Sequence, residues 1–150
     1  MSPYRRILVP LDGSATAERG LREAIALAAR TGARLRLLHV IDAHPLFVGA
    51  GSAPGADDPM QGLRVHATGL LGKAQIQAAA AGVAADPAVR ELTSERIGDV
   101  ITDEARAADC DLIVMGTHGR RGFSRIALGS AAESVARSSP VPVLLMRALP

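Results

Sequence analysis

Short apolar runs alternate with longer stretches of helical period along this chain, and that alternation restricts the fold more than any other feature of the sequence. The runs are residues 6–11 (RILVPL), 35–41 (LRLLHVI), 111–115 (DLIVM) and 141–147 (VPVLLMR), each closed on at least one side by Asp, Gly or Pro. Apolar runs of this length bounded by turn residues read as buried strands. Leu21, Ala24, Ile25 and Ala28 recur at the i, i+3, i+4, i+7 spacing, so residues 17–30 read as a helix that Thr31-Gly32 closes. Leu63, Ala67, Leu70, Leu71, Ala74 and Ala78 mark a second helix ending at Gly82. Ile97, Val100, Ile101, Ala105 and Ala108 mark a third, in spite of Gly98 inside it, and a weaker strand over residues 88–92 separates the two. Residues 43–61 are rich in Gly, Ala, Pro and Asp without a period and read as an exposed loop. Ser130-Ala131-Ala132-Glu133 fits a capping box, the Ser130 oxygen accepting from the Glu133 N–H, and opens a fourth helix that Pro140 stops.

Five strands alternating with four helices predict an α/β sandwich built on a mostly parallel sheet. Composition agrees: 48% of the 150 residues are hydrophobic and only 2% aromatic, so the core must be aliphatic, as in parallel sheets covered by alanine-rich helices. No internal repeat or linker divides the chain, which reads as one domain over residues 1–150. A doubly wound order 3-2-1-4-5 follows if the chain winds one way and then reverses. Pro142 would be awkward in mid-sheet and puts the last strand at an edge. The switch point then lies between the carboxyl ends of strands 1 and 4, where such sheets bind ligands, so that Asp12 and Gly116 should face one crevice.

Charge and cysteine content narrow the setting. A net charge of +2 argues against a general nucleic-acid binder, whose affinity comes from many phosphate contacts. Sixteen of the seventeen basic residues are Arg, and of these only the local cluster Arg120, Arg121 and Arg125 asks for a ligand explanation. Cys110 is the one cysteine and cannot form an internal disulfide, which suits a reducing compartment. The first apolar segment is short for a signal peptide and no run reaches membrane-spanning length, so a cytoplasmic protein is expected.

The stretch after DLIVM is GTHGRRGFSRIALGS, residues 116–130. It is neither GxxxxGK[ST] nor, after the first strand, GxGxxG. It offers Gly116, Gly119, nine intervening residues and then Gly129-Ser130 at a helix start. Glycines let a backbone approach a ligand closely, and a helix N-terminus supplies free N–H groups and the positive end of a dipole. A phosphate chain fits that description.

Residues 116–130 resemble the G-2x-G-9x-G-[ST] signature of the ATP-binding branch of the universal stress protein family. The resemblance runs through ILVPLDGS, LLHVID, DLIVMGTHGRRG and VPVLLMR, nearly the whole chain. It implies ATP in the switch-point crevice and a homodimer made by pairing of the last strands, here residues 141–147. On that resemblance Asp12 lies near adenine and ribose, with Pro10 and Leu11 as the adjacent wall and Val40 as the position whose backbone reads adenine. Gly116, beside Met115, and Gly119 with Arg120 begin the phosphate loop. Gly129 and Ser130 form the second phosphate contact, with Ala131 and Ala132 next to them.

Each residue also has a plainer reading. Asp12 is a common turn initiator. Arg120, Arg121 and Arg125 cover phosphates or solubilise a loop. His118 reads as a solvated loop histidine, His39 and His66 as structural, His44 as part of the long loop, Phe123 as a loop anchor and Cys110 as a small apolar filler. No HxxH, CxxC or HExxH spacing supports a protein metal site, and a magnesium ion arriving with phosphates would keep most of its own ligands. The loop lacks Asp and Glu, so ATP binding with slow turnover at most is expected. The alternative is a slow ATP hydrolase or nucleotidyl transferase using His118 and the arginines.

Overall fold

The computed structural model describes residues 3–43, 58–118 and 128–149. In chain order these form β1 (Arg6–Pro10), α1 (Ala15–Thr31), β2 (Arg34–Ile41), α2 (Pro59–Ala80), β3 (Ala85–Glu91), α3 (Ile97–Ala107), β4 (Leu112–Gly116), α4 (Ser130–Ser138) and β5 (Val143–Met146). The strands lie in the order β3-β2-β1-β4-β5, and all four pairings are parallel. The order expected from the alternation is therefore the order found.

Both faces of the sheet are covered. Ile7, Val9, Leu35, Leu37 and Val114 point to one face, where Leu21, Ala24 and Ala28 of α1 and Leu71, Ala74 and Ala78 of α2 bury them. Leu8, Leu38, Ile113 and Met115 point to the other, under Ile101 and Ala105 of α3 and Ala132 and Val135 of α4. Burial of each large aliphatic side chain stabilises the fold by roughly 1.5–3 kcal/mol. Alanine on the helix faces lets helix and sheet approach closely, which is how a core with so few aromatic residues is filled.

Local chemistry sets the element ends. The Ser14 hydroxyl caps α1 by accepting from the Ala17 N–H at 3.2 Å, and Gly32 ends the helix in the left-handed region at φ 76°. Gly98 inside α3 is a contact residue: a Cβ there would lie 2.6 Å from the Ser134 Cβ of α4, so the two helices approach through it. The prolines sit where the ladder tolerates them. Pro87 is in the edge strand β3, and Pro142, just before the other edge strand, accepts through its carbonyl from the Ile113 N–H at 3.0 Å.

Several boundaries differ from the sequence reading. The stretch 43–61 is not all loop, because α2 begins at Pro59 with Asp58 as its cap and Ala43 is buried. Residues 44–57, and His44 with them, lie outside the described residues. β3 starts at Ala85 rather than residue 88; its Asp86 is held by Arg6 at 3.0 Å and Arg34 at 3.4 Å, so a charged residue belongs in this strand. The last strand is the shorter Val143–Met146. Finally, Ser130 is the first residue of α4 and not its cap: Gly129 holds the cap position, and the Glu133 N–H donates to the Gly129 carbonyl at 2.9 Å. The capping box does not form.

Candidate functional site

β1 and β4 end side by side at the point where the strand order reverses, and the chain leaves them in opposite directions into α1 and towards α4. That divergence leaves a crevice of about 490 Å³, within the range of roughly 300–1,000 Å³ typical of small-molecule sites. Of the residues expected at a ligand, Pro10, Leu11, Asp12, Val40, Met115 and Gly116 line it from the strand ends, and Gly129, Ser130, Ala131 and Ala132 line it from the tip of α4. Gly119 and Arg120, like Arg121, Phe123 and Arg125, lie outside the described residues.

Val40 owes its position to the parallel ladder. Arg34 donates its N–H to the Arg5 carbonyl and Leu38 accepts from the Leu11 N–H, so even-numbered residues of β2 turn their peptide groups towards β1. The register of β1 ends at Pro10 opposite Leu38. Two residues further on, the peptide of Val40 faces the crevice instead of a strand.

The tips of α1 and α4 both reach this space and are built differently. At α1, Asp12 folds back so that Oδ1 accepts from the Ser14 N–H at 2.9 Å, and Ser14 in turn caps the helix. The turn-forming role of Asp12 is thus present, alongside its place on the crevice wall. At α4, the Gly129 N–H donates to the Thr117 carbonyl at 2.7 Å, which ties the chain before residue 118 to the chain after residue 128. The first intrahelical bond is the one from Glu133, and among the described residues no side chain caps the helix. The N–H groups of Ser130, Ala131 and Ala132 therefore precede the ladder at a positive dipole end, on the crevice wall.

Gly116 has a structural reason to be glycine. A Cβ there would lie 2.8 Å from the Thr16 Cβ and 2.9 Å from the Thr16 carbonyl carbon. The Thr16 hydroxyl passes over it to donate to the His118 carbonyl. The first turn of α1 thus rests on the end of β4, and Gly116 makes room for packing before it makes room for any ligand. Thr117 is buried beside it, its N–H donating to the Met146 carbonyl at 2.9 Å and its hydroxyl 2.9 Å from His118 Nδ1.

Two residues read as structural belong to the crevice. His39, from β2, and His66, from α2, line it with ring centroids 6.1 Å apart in an edge-to-face arrangement. His39 Nδ1 donates to the Leu11 carbonyl at 2.7 Å, which fixes the ring plane and leaves Nε2 as the nitrogen outside that bond. The signal for them lay in their position: His39 is at the carboxyl end of a strand, where doubly wound sheets place ligand contacts. His118 also lines the crevice. Cys110 is buried away from it, and burial pushes its thiol up to about 11, so it fills space and is not a nucleophile. Among the described residues no three His, Cys, Asp or Glu side chains gather as a metal site, and no helix is long and apolar enough to cross a membrane.

This arrangement has close counterparts. A universal stress protein of Methanocaldococcus jannaschii is 31% identical over 144 residues, covering 96% of this chain and 82% of the relative. The crystal structure of a universal stress protein family member from Burkholderia pseudomallei superposes with a TM-score of 0.76 at 34% identity, covering 99% of each chain. A universal stress protein from Archaeoglobus fulgidus, solved in complex with dAMP, superposes with a TM-score of 0.67 at 25% identity over 97% of this chain and 99% of that one. The profile of the universal stress protein family matches residues 3–147. With the family profile spanning nearly the whole chain and these relatives matching it in sequence and in fold, the chain belongs to the universal stress protein family.

Proposed function

We propose that this chain is a single-domain, ATP-binding stress-response protein that works in the cytoplasm as a nucleotide-responsive homodimer. The observation that carries the reading is the tip of α4: three successive amides ahead of the helical ladder, with no side-chain cap among the described residues, on the wall of a crevice at the switch point. Those donors suit the phosphates, and the Ser130 hydroxyl can add another. Asp12 suits the ribose hydroxyls. The peptide of Val40 suits the adenine edge, with Pro10, Leu11 and the imidazoles of His39 and His66 as the walls of the base slot. Gly119 and Arg120 complete the phosphate loop in this reading. The dAMP complex of the Archaeoglobus relative supports an adenine nucleotide as the class of ligand.

Residues able to hold a nucleotide outnumber those able to react with one. Phosphoryl transfer needs an oriented nucleophile and a metal held by acidic groups, and a site that binds ground and transition states alike gives no acceleration. Any magnesium would come with the phosphates, near Asp12. In this reading nucleotide occupancy is passed on through the two ends of the phosphate loop, joined by the bond from the Gly129 N–H to the Thr117 carbonyl, and a partner or the second subunit reads the result. The dimer would form through β5, which is an edge strand with Leu144 exposed. Mass spectrometry of protein purified under native conditions, followed by calorimetric titration with ATP, ADP and AMP, tests the reading. A saturable ATP isotherm is expected, and no adenine nucleotide binding at millimolar concentration would overturn it.

One observation favours a second reading, slow hydrolysis or nucleotidyl transfer. His118 lines the crevice with its ring positioned by the buried Thr117 hydroxyl. Multiple turnover that disappears in His118→Ala while ATP affinity is retained would establish it; single-turnover or no hydrolysis in the native protein would exclude it.

A further inference from the structure

At the other end of α3 lies a second, smaller cleft of about 270 Å³, lined by Arg6, Arg36, Arg90, Glu104, Ala107 and Ala108. It has no residue in common with the nucleotide crevice. Its organising group is Glu104, which is 1% exposed although it is ionisable. Burial alone pushes its carboxyl up, but hydrogen bonds and charge from Arg90 and Arg36 outweigh this and hold it below its ordinary value. It remains an anion at neutral pH and loses that role only on acidification.

The pairing is side-on at both oxygens. Arg36 reaches Oε1 through Nε and Nη2, each at 2.9 Å, and Arg90 reaches Oε2 through Nε at 2.6 Å and Nη2 at 2.5 Å. Each guanidinium therefore keeps Nη1 outside its pairing with Glu104. Arg6 adds a third guanidinium. Its Nη2 bonds to Asp86 at 3.0 Å, while its Nε is buried with no hydrogen-bond partner among the described residues.

Charge does not balance here. Asp86 is shared with Arg34, so Arg6, Arg34, Arg36 and Arg90 pair with two carboxylates; counting Asp111, which accepts from the Arg6 N–H at 3.0 Å, an excess of one positive charge remains. That excess outweighs the roughly half negative charge of the α3 carboxyl end beside it. A patch meant only to cover the sheet edge would be served as well by apolar side chains, which often match or exceed the stability of a buried ion network. Instead, one buried carboxylate holds two guanidinium planes in fixed orientation, next to a third whose donors are incompletely used. Fixed guanidinium forks recognise phosphate-type oxyanions.

We infer that the Arg6–Arg36–Arg90 cleft is a second anion site, preorganised by Glu104, for a phosphate-bearing small molecule or inorganic polyphosphate. Its occupant differs from the nucleotide in being held by side chains alone and in touching no part of the switch point.

The test is titration of the full chain with inorganic pyrophosphate, in the presence of saturating ATP, following the arginine Nε–Hε signals by NMR. The expected result is saturable shifts of the Arg6, Arg36 and Arg90 signals. The Ser130, Ala131 and Ala132 amides report the crevice separately, so failure of the nucleotide reading would leave this result standing. Arg6→Gln leaves both partners of Glu104 in place and should weaken pyrophosphate binding by at least about threefold, with the charge-reversing Arg6→Glu abolishing it. Thermal unfolding confirms that each variant is folded; if Arg6→Glu is not, Arg6→Gln carries the comparison. Titration with a phosphomonoester, set against pyrophosphate, separates the two sources of the anion by their affinities. The inference is overturned by shifts that do not saturate, by equal shifts from sodium chloride at matched ionic strength, or by curves that Arg6→Gln leaves unchanged.

Discussion

The tips of α1 and α4 meet at one crevice, yet one is closed by its own side chains and the other is left open. α1 has Ser14 as cap, Asp12 holding the Ser14 N–H, and a first turn seated on Gly116. α4 has glycine at the cap, and its opening amides face the crevice. A helix end left without a cap forgoes about 0.5–2 kcal/mol relative to a good one when compared with alanine, though only a few tenths relative to glycine. The difference teaches where a ligand can be useful: anionic oxygens gain at the open tip what a side chain already supplies at the closed one.

The largest effect should come from filling the seat under α1. Gly116→Val places a branched side chain against the Thr16 backbone and should cost about 1–3 kcal/mol or more, read as a lowered unfolding midpoint in denaturant. Loss of nucleotide binding in that variant would report the lost packing, so it cannot stand in for a phosphate-contact mutant. Gly129→Asp separates the two roles. A carboxylate at the α4 cap should leave stability unchanged or raise it by a few tenths of a kcal/mol, yet weaken ATP at least about tenfold, near 1.4 kcal/mol, by titration. Ser14→Ala is the converse: a cost of about 1 kcal/mol in stability with ATP affinity within about twofold. The smallest change is expected at the base end. His66→Ala should lose about 0.5 kcal/mol of affinity for adenosine nucleotides and none for tripolyphosphate, if the ring packs on the base.

The same contrast explains how much could be read without coordinates. Strand order was legible because parallel strands buried on both faces leave unmistakable runs such as DLIVM, and because a proline next to the last run belongs at an edge. The crevice followed from the order, and with it the meeting of Asp12 and Gly116. What escaped depends on tertiary placement. Ser130-x-x-Glu133 has the letters of a capping box, but Gly129 is fixed at the cap by its bond to Thr117, a contact across the loop that local sequence does not announce. β3 was read short because Asp86 and Pro87 look like turn residues until Arg6 and Arg34 arrive from other strands. The pair His39 and His66 comes from two elements that only the fold brings together. The start of α2, by contrast, carried a signal that was there to read: Asp58-Pro59, a cap followed by proline at the first helical position.

Hydrogen exchange at the two helix tips, with and without ATP, tests the central claim most directly. If phosphates occupy the open tip, ATP should slow exchange of the Ser130, Ala131 and Ala132 amides and leave that of Ala17, already bonded to Ser14, unchanged. Equal exchange at Ser130, Ala131 and Ala132 in the two conditions, at an ATP concentration shown by titration to be saturating, would contradict it.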